Sequence, residues 1–220
     1  MPLMDQNTQN QVRDLLAVVK RPVTLQLFTQ ESGCDYCKET RQIAEEVAAL
    51  SNLVTVRVSD FVADSELARS LGVDKVPAIV VLGEDERDYG IRFFGIPAGY
   101  EFTSLLEAIL LVGADSFELQ PDTLSFLESL DAPLHLQVFV TPTCPYCPQA
   151  VMLAHQLAFA SDKVTADMVE VSEFPRLGER YEVMGVPRTV INEDTYIEGA
   201  APESMLLERL QAAARLSVRA

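Results

Sequence analysis

Two hydrophobic periodicities alternate along the chain, and together they predict a mixture of helices and strands. Apolar side chains between Val12 and Val19 recur every three or four residues, which is typical of one buried helix face. Val23–Thr29 is short and rich in strand-forming residues, so it predicts a β-strand. Pro22 separates the two segments because proline does not continue a helix. The pattern therefore indicates an α/β fold from its first elements.

The same alternation continues to the C-terminus. In the first half we expect helices and strands at Cys37–Leu50, Leu53–Ser59, Ser65–Leu71, Ala78–Leu82, Gly90–Phe94 and Glu101–Val112. In the second half we expect them at Pro121–Leu130, Leu134–Val140, Cys147–Ala160, Thr165–Val171, Arg176–Tyr181, Arg188–Ile191, Thr195–Glu198 and Pro202–Ala214. A polar turn, Gly83–Asp88, joins two of the strands, and a linker is predicted near Gly113–Gln120. Each half should be a central mixed sheet between helices.

The four cysteines stand in two Cys-x-x-Cys pairs, Cys34 with Cys37 and Cys144 with Cys147. The second pair follows the first by 110 positions. Each pair comes after a predicted strand and begins a predicted helix. A small secreted scaffold would spread more cysteines over a shorter chain, so this usage points to cysteine chemistry or to a metal.

Other landmarks repeat with nearly the same offset. Val76-Pro77 recurs as Val186-Pro187, again 110 positions later, and Leu25–Phe28 resembles Leu136–Phe139 at an offset of 111. Shared landmarks at one spacing indicate two tandem copies of one structural unit. We place the units at residues 1–117 and 118–220.

Composition and charge narrow the function. Hydrophobic residues make up 48% and charged residues 23%, which is enough for packed cores and atypical of a disordered protein. The net charge of −16 disfavours nucleic acid and anionic membranes as partners. No apolar run approaches the length of a membrane span, and no secretory leader is recognisable, so we expect a cytoplasmic protein without a membrane segment.

The position of each pair has a chemical consequence. The free N–H groups and dipole at a helix N-terminus favour a thiolate, which is the nucleophile in disulfide exchange. Cys34 and Cys144 are therefore predicted to attack, and Cys37 and Cys147, one turn later, to resolve the mixed disulfide. Two alternatives stay open: a zinc site of four cysteines, disfavoured by the long gap between the pairs, and two inert buried pairs.

The repeated Val-Pro dipeptides argue against inert pairs. Pro77 and Pro187 each follow their second cysteine by 40 positions and begin a β-segment. We expect both X-Pro bonds to be cis and both loops to face the cysteines, where they would offer backbone groups to an extended peptide. An ordinary trans turn is the alternative.

The motifs resemble a known family. Cys144-Pro-Tyr-Cys147 is a glutaredoxin-type site, and Thr141–Pro148 with Met184–Pro187 resembles the protein disulfide oxidoreductases of thermophilic prokaryotes. Those proteins are glutaredoxin-like and carry two thioredoxin-fold units. Gly90–Ser104 is similar to the N-terminal domain of the alkyl hydroperoxide reductase flavoprotein, a relative that keeps one cysteine pair. This chain keeps both pairs, which favours the free-standing oxidoreductase.

The resemblance implies two tandem thioredoxin-like folds whose sheets join. It implies an enzyme that reduces, forms or isomerises protein disulfides, with redox-active disulfides and no bound organic cofactor. The resemblance implies that protein disulfides are the substrates and that a flavin-dependent thioredoxin-reductase-like enzyme supplies the electrons. A peroxiredoxin is a further implied partner. A dedicated electron donor to a peroxiredoxin and a zinc-bound interaction module are the alternatives.

The family also implies a glutamate at the start of the last helix of each unit as a proton acceptor. The matching positions are Glu101 and Glu203; acids that merely complement a helix dipole are the alternative. Tyr36 and Tyr146, inside the pairs, are expected to cover the sulfurs and touch substrate, unless they only pack at the helix starts. His135 and His155 stand outside these motifs and are interpreted as structural.

The charges around the two pairs differ. Glu31, Asp35 and Glu39 surround Cys34 with Lys38 as the only nearby cation, whereas Thr143–Gln149 carries no charge. Nearby carboxylates disfavour a thiolate. We therefore expect the C-terminal pair to be the main site for protein substrates.

Overall fold

The computed structural model describes residues 2–115 and 117–217, and both halves fold as α/β units. The elements of the first half are α1 (Gln6–Leu16), β1 (Val23–Thr29), α2 (Cys37–Ala48), β2 (Val54–Asp60), α3 (Ser65–Ser70), β3 (Ala78–Leu82), a 3₁₀ turn (Glu84–Glu86), β4 (Asp88–Phe94) and α4 (Glu101–Ala114). Those of the second are α5 (Pro121–Glu128), β5 (Leu134–Val140), α6 (Cys147–Ala160), β6 (Val164–Glu170), α7 (Pro175–Arg180), β7 (Arg188–Ile191), β8 (Thr195–Glu198) and α8 (Glu203–Ser217).

One continuous sheet runs through the described residues, in the order β2-β1-β3-β4-β6-β5-β7-β8. In the first half β1 pairs in parallel with β2 and antiparallel with β3, which pairs antiparallel with β4. The second half repeats this plan with β5 at its centre. The two halves therefore share one strand order, as expected of two copies of one structural unit, and the expected joining of their sheets is confirmed.

The joint between the halves is the parallel pair β4 and β6. Phe93 lies opposite Met168 in the register, and both side chains are fully buried. Above the joint α4 packs against α6, and Tyr89 stacks on Phe159 with ring centroids 4.6 Å apart. One hydrophobic core therefore extends across both units.

Most element boundaries agree with the sequence pattern, and local capping explains several differences. α1 begins at Gln6, before the apolar stripe, because the Asp5 carboxylate accepts the Thr8 N–H at 2.7 Å and caps the helix. α4 continues to Ala114 and ends where Asp115 adopts a left-handed conformation with φ of 54°. Within the described residues no helix is both long and apolar enough to span a bilayer.

Candidate redox sites

Both cysteine pairs lie where a central strand is followed by a helix, with the first cysteine in the loop and the second in the helix. Cys34 follows β1 and Cys37 is the first residue of α2, while Cys144 follows β5 and Cys147 is the first residue of α6. Each pair forms a disulfide with Cα atoms 5.5 Å apart. The predicted placement at helix N-termini is confirmed, and there the dipole stabilises a thiolate once the disulfide is reduced.

Exposure distinguishes the two cysteines within each pair. Cys34 is partly exposed and Cys37 is 5% exposed. Cys144 is 7% exposed and Cys147 is completely buried. The first cysteine of each pair is thus the more exposed residue, as expected of an attacking thiol. The N-terminal pair is the more open of the two.

The Val76-Pro77 and Val186-Pro187 bonds are both cis, as predicted. The carbonyl of Pro77 accepts the Gly95 N–H at 2.9 Å, and that of Pro187 accepts the Gly199 N–H at 2.8 Å. These equivalent bonds fix each loop to the turn that precedes the last helix of its unit. In the first unit Val76 and Pro77 line one cavity with Cys34.

The tyrosines inside the pairs occupy equivalent positions before their helices. Tyr36 is 45% exposed and Tyr146 is 68% exposed. Side chains this exposed at the two sites present aromatic surface to solvent. Their predicted role in contacting substrate remains a prediction.

Glu101 lies at the start of α4 and is completely buried. Its Oε2 accepts a hydrogen bond from the Ser104 hydroxyl at 2.7 Å, and its Oε1 has no partner among the described residues. Burial raises the pKa of Glu101 to about 7, against the lowering effect of Ser104. An acid with this pKa exchanges protons near neutral pH.

The position of Glu101 was not foreseen from the sequence. The preceding residue, Tyr100, donates its N–H to the carbonyl of Pro142 at 3.0 Å. Pro142 lies in the loop that leads to Cys144. Glu101, from the first unit, therefore stands beside the cysteine loop of the second unit.

Glu203 is placed differently. It is only partly buried, and its Oε1 accepts the N–H of Gln120 at 2.7 Å, just before α5. The two glutamates are equivalent in sequence but differ in burial, since Glu101 is completely buried and Glu203 is not. Its predicted role in proton transfer stays a prediction.

A cavity of about 660 Å³ beside Cys34 brings together both units. Glu170 and Glu173, which follow one another closely at the end of β6, line it with Asp35. These two glutamates do not stand out in the sequence, because they follow Cys34 by 136 and 139 positions in a chain rich in acids. The one sequence signal for Glu170 is that it is an acid at the C-terminal end of β6, and the sheet places that end beside Cys34.

The histidines have structural surroundings. His155 is buried and contacts the Phe93 ring edge-on at a centroid distance of 5.0 Å; burial lowers the pKa of His155 to about 4. His135 Nε2 forms a hydrogen bond with Asp167 Oδ2, with the two atoms 2.5 Å apart. Among the described residues no cluster of three or more histidine, cysteine or acidic side chains is arranged to hold a metal ion.

Comparisons with known proteins agree with this geometry. The thioredoxin domain family matches residues 134–211. The chain is similar to the crystal structure of a protein disulfide oxidoreductase from Aeropyrum pernix, with 30% identity, a TM-score of 0.89 and coverage of 96% of this chain and 94% of that one. It is also similar to an N-terminal domain of alkyl hydroperoxide reductase from Enterococcus faecalis, with 27% identity, a TM-score of 0.86 and coverage of 93% and 98%.

Curated relatives include longer proteins. An alkyl hydroperoxide reductase of Pseudomonas putida is 25% identical over 90% of this chain and 35% of its own length. A protein of Bacillus subtilis named NADH dehydrogenase is 24% identical over 94% of this chain and 38% of its own length. The chain thus spans less than two fifths of these relatives.

Each of the two thioredoxin-like units carries a Cys-x-x-Cys disulfide at a helix N-terminus, which is the arrangement that dithiol–disulfide exchange requires. The chain belongs to the protein disulfide oxidoreductase family, in which its relative from Aeropyrum pernix aligns over nearly the full length of both proteins.

Proposed function

We propose that the chain transfers electrons to protein disulfides through both of its cysteine pairs, with the C-terminal pair as the main substrate site. The observation that carries this proposal is the repeated arrangement of a more exposed cysteine, a buried cysteine at a helix start and a cis X-Pro bond. We assign the two pairs to units of residues 1–117 and 118–220. The end of α4 and the start of α5 support this boundary.

The proposed reduction begins with the thiolate of Cys144. It attacks one sulfur of the substrate disulfide and forms a mixed disulfide, while the other substrate sulfur leaves as a thiolate and takes up a proton. Cys147 then loses its proton and attacks Cys144 Sγ, which releases the second substrate thiol. Two electrons pass to the substrate, and the pair ends as a disulfide. Cys34 and Cys37 perform the same sequence at the N-terminal site.

Glu101 is the proposed acceptor of the Cys147 proton. Its support is complete burial, its position beside the loop that leads to Cys144, and a pKa of about 7. A base of this pKa takes a proton near neutral pH without holding it too tightly to return it. The N-terminal unit would thereby supply the proton acceptor of the C-terminal site.

The cis prolines and tyrosines complete each proposed site. Pro77 and Pro187 would hold an extended substrate segment next to the sulfurs, and Tyr36 and Tyr146 would contact it from the exposed side. We rank the C-terminal pair above the N-terminal pair because of local charge. Asp35 and other acids lie near Cys34 in the sequence and disfavour its thiolate, whereas Thr143–Gln149 around Cys144 carries no charged residue.

The electron source is proposed to be a flavin-dependent thioredoxin-reductase-like enzyme in the cytoplasm, a compartment whose thiols are kept reduced. A second candidate function is electron donation to a peroxiredoxin. Similarity to the N-terminal part of the alkyl hydroperoxide reductases favours that candidate. A peroxidase assay with a purified peroxiredoxin would separate it from general disulfide reduction.

The proposed function is tested by single-turnover reduction. The chain is reduced with dithiothreitol, freed of it and mixed with excess insulin, and the thiols of both proteins are counted. We expect two substrate disulfides to be reduced per chain, and one when Cys34 and Cys37 are both replaced by serine. Failure of the reduced chain to transfer electrons to insulin or to a disulfide peptide would refute the proposal.

A further inference from the structure

The cavity beside Cys34 holds acidic groups contributed by the second unit. Its lining includes Cys34, Asp35 and Pro77 from the first unit and Glu170 and Glu173 from the second. Because Cys34 lines this space, a substrate disulfide bound in the cavity lies next to Cys34. Side chains next to the substrate cysteine therefore contact residues of both units.

The two glutamates are fixed in place by backbone hydrogen bonds. Glu173 Oε1 accepts the N–H of Ile96 at 2.6 Å, and Glu170 Oε2 accepts the N–H of Glu173 at 2.8 Å. Glu170 is 2% exposed, and its Oε1 is buried without a partner among the described residues. The second oxygen of Glu173 has no hydrogen bond within the described part of the chain and is free to accept one from a ligand.

These carboxylates lack a cation. None of the ion pairs formed by the described residues includes Asp35, Glu170 or Glu173. Burial, with smaller repulsion from Glu170 and Asp35, raises the pKa of Glu173 to about 7. A buried carboxylate is costly unless a positive group pairs with it. The cavity thus holds negative charge that a bound cation would stabilise.

We propose that this cavity binds a lysine or arginine side chain adjacent to the cysteine of a disulfide substrate, so that the N-terminal site prefers basic disulfide peptides. The inference rests on the proposed function, because it assigns a substrate class to one of the two redox sites. The cation contacts Glu173, and the buried charge of Glu170 lies behind that contact. The bound lysine or arginine takes no part in electron transfer. Cys34 and Cys37 reduce the substrate by the thiol–disulfide exchange described above.

The test isolates the N-terminal site in the full chain by replacing Cys144 and Cys147 with serine. Three disulfide peptides are compared that differ only in carrying lysine, glutamine or glutamate beside the cysteine. At pH 8 and low salt we expect the lysine peptide to be reduced about tenfold faster than the glutamine peptide, and the glutamate peptide to be slowest. The preference should shrink to about twofold in Glu173→Gln or Glu170→Gln, and at high salt.

The matched control is Glu179→Gln, which removes one exposed negative charge from α7 of the same unit and should keep the full preference. The C-terminal site, isolated by replacing Cys34 and Cys37 with serine, should show little preference. Equal rates for the three peptides, or a preference that survives replacement of both cavity glutamates, would overturn this inference and leave the proposed reductase function intact. Failure to reduce any peptide would overturn both.

Discussion

The backbone N–H of Tyr100 donates a hydrogen bond to the carbonyl of Pro142, with the two atoms 3.0 Å apart. This bond joins the start of α4 in the first unit to the cysteine loop of the second. In the other direction, Glu173 of the second unit accepts the N–H of Ile96 at the edge of the first cysteine site. Each redox site is therefore completed by the neighbouring unit.

Gly99 tests the importance of this contact. Its φ is +60°, and an added Cβ would lie 2.1 Å from the Pro142 carbonyl oxygen. We predict that Gly99→Ala lowers the free energy of unfolding by about 3 kcal/mol, of which about 1–2 kcal/mol is the cost of the left-handed conformation. The rest comes from displacement of the loop, so reduction of substrate by the C-terminal pair should slow.

Gly199→Ala is the control for backbone conformation. Gly199 has a φ of +77° but nothing within 4 Å of an added Cβ. Urea unfolding of both variants should show the smaller loss for Gly199→Ala. Equal losses would mean that the contact between α4 and Pro142 contributes little.

Replacing Glu101 tests its proposed role in proton transfer. We expect Glu101→Gln to slow substrate reduction by the isolated C-terminal pair about tenfold at pH 6.5–7. The deficit should shrink toward pH 10, because hydroxide can then take the Cys147 proton in place of Glu101. Rates measured from pH 6 to 10 check this, with Glu203→Gln as the comparison. A deficit that is constant across this range would point to a structural role for Glu101.

The same carboxyl group predicts a change of stability with pH. Because burial raises the pKa of Glu101 from 4.5 to about 7, the folded state holds this proton more tightly than the unfolded state. Its contribution is fully present below pH 4.5 and is lost as pH rises through 7. One pKa unit corresponds to about 1.4 kcal/mol, so the loss is at most about 3.5 kcal/mol.

Glu101→Gln should remove this dependence. The free energy of unfolding of the oxidised wild type and of the oxidised variant is measured with denaturant at pH 4.5 and at pH 8. The contributions of the other acids cancel in the difference between the two proteins. The variant should gain stability relative to the wild type as pH rises. An unchanged difference between them would show that Glu101 ionises freely in the folded protein.

The ranking of the two cysteine pairs is tested by single serine variants. We predict that Cys144→Ser abolishes most insulin reduction and that Cys34→Ser leaves much of it, because acids beside Cys34 disfavour its thiolate. Alkylation rates against pH should give a lower thiol pKa for Cys144. Cys34 is the more exposed residue of the two. Equal activities, or a lower pKa at Cys34, would show that access outweighs local charge.

Much of the fold was predictable because it is encoded by local patterns. The boundaries of β1, β3 and β5 agree with the sequence expectation, since these central strands are largely buried segments rich in strand-forming residues. The start of β4 was predicted at Gly90 but lies at Asp88, because pairing with Leu82 extends a polar segment that has no strand pattern of its own. Edge positions of this kind depend on a partner strand.

By itself the sequence determined the α/β plan, the repeat, the cysteine pairs at helix starts and the cis prolines, because each depends on residues close together or on the spacing between two copies. Only the tertiary structure decided that Glu101 lies beside the second cysteine loop and that Glu170 and Glu173 line the first site. These placements depend on β4 pairing with β6, which fixes the position of one unit against the other. No short-range pattern encodes that pairing, since the two strands belong to different copies of the repeat.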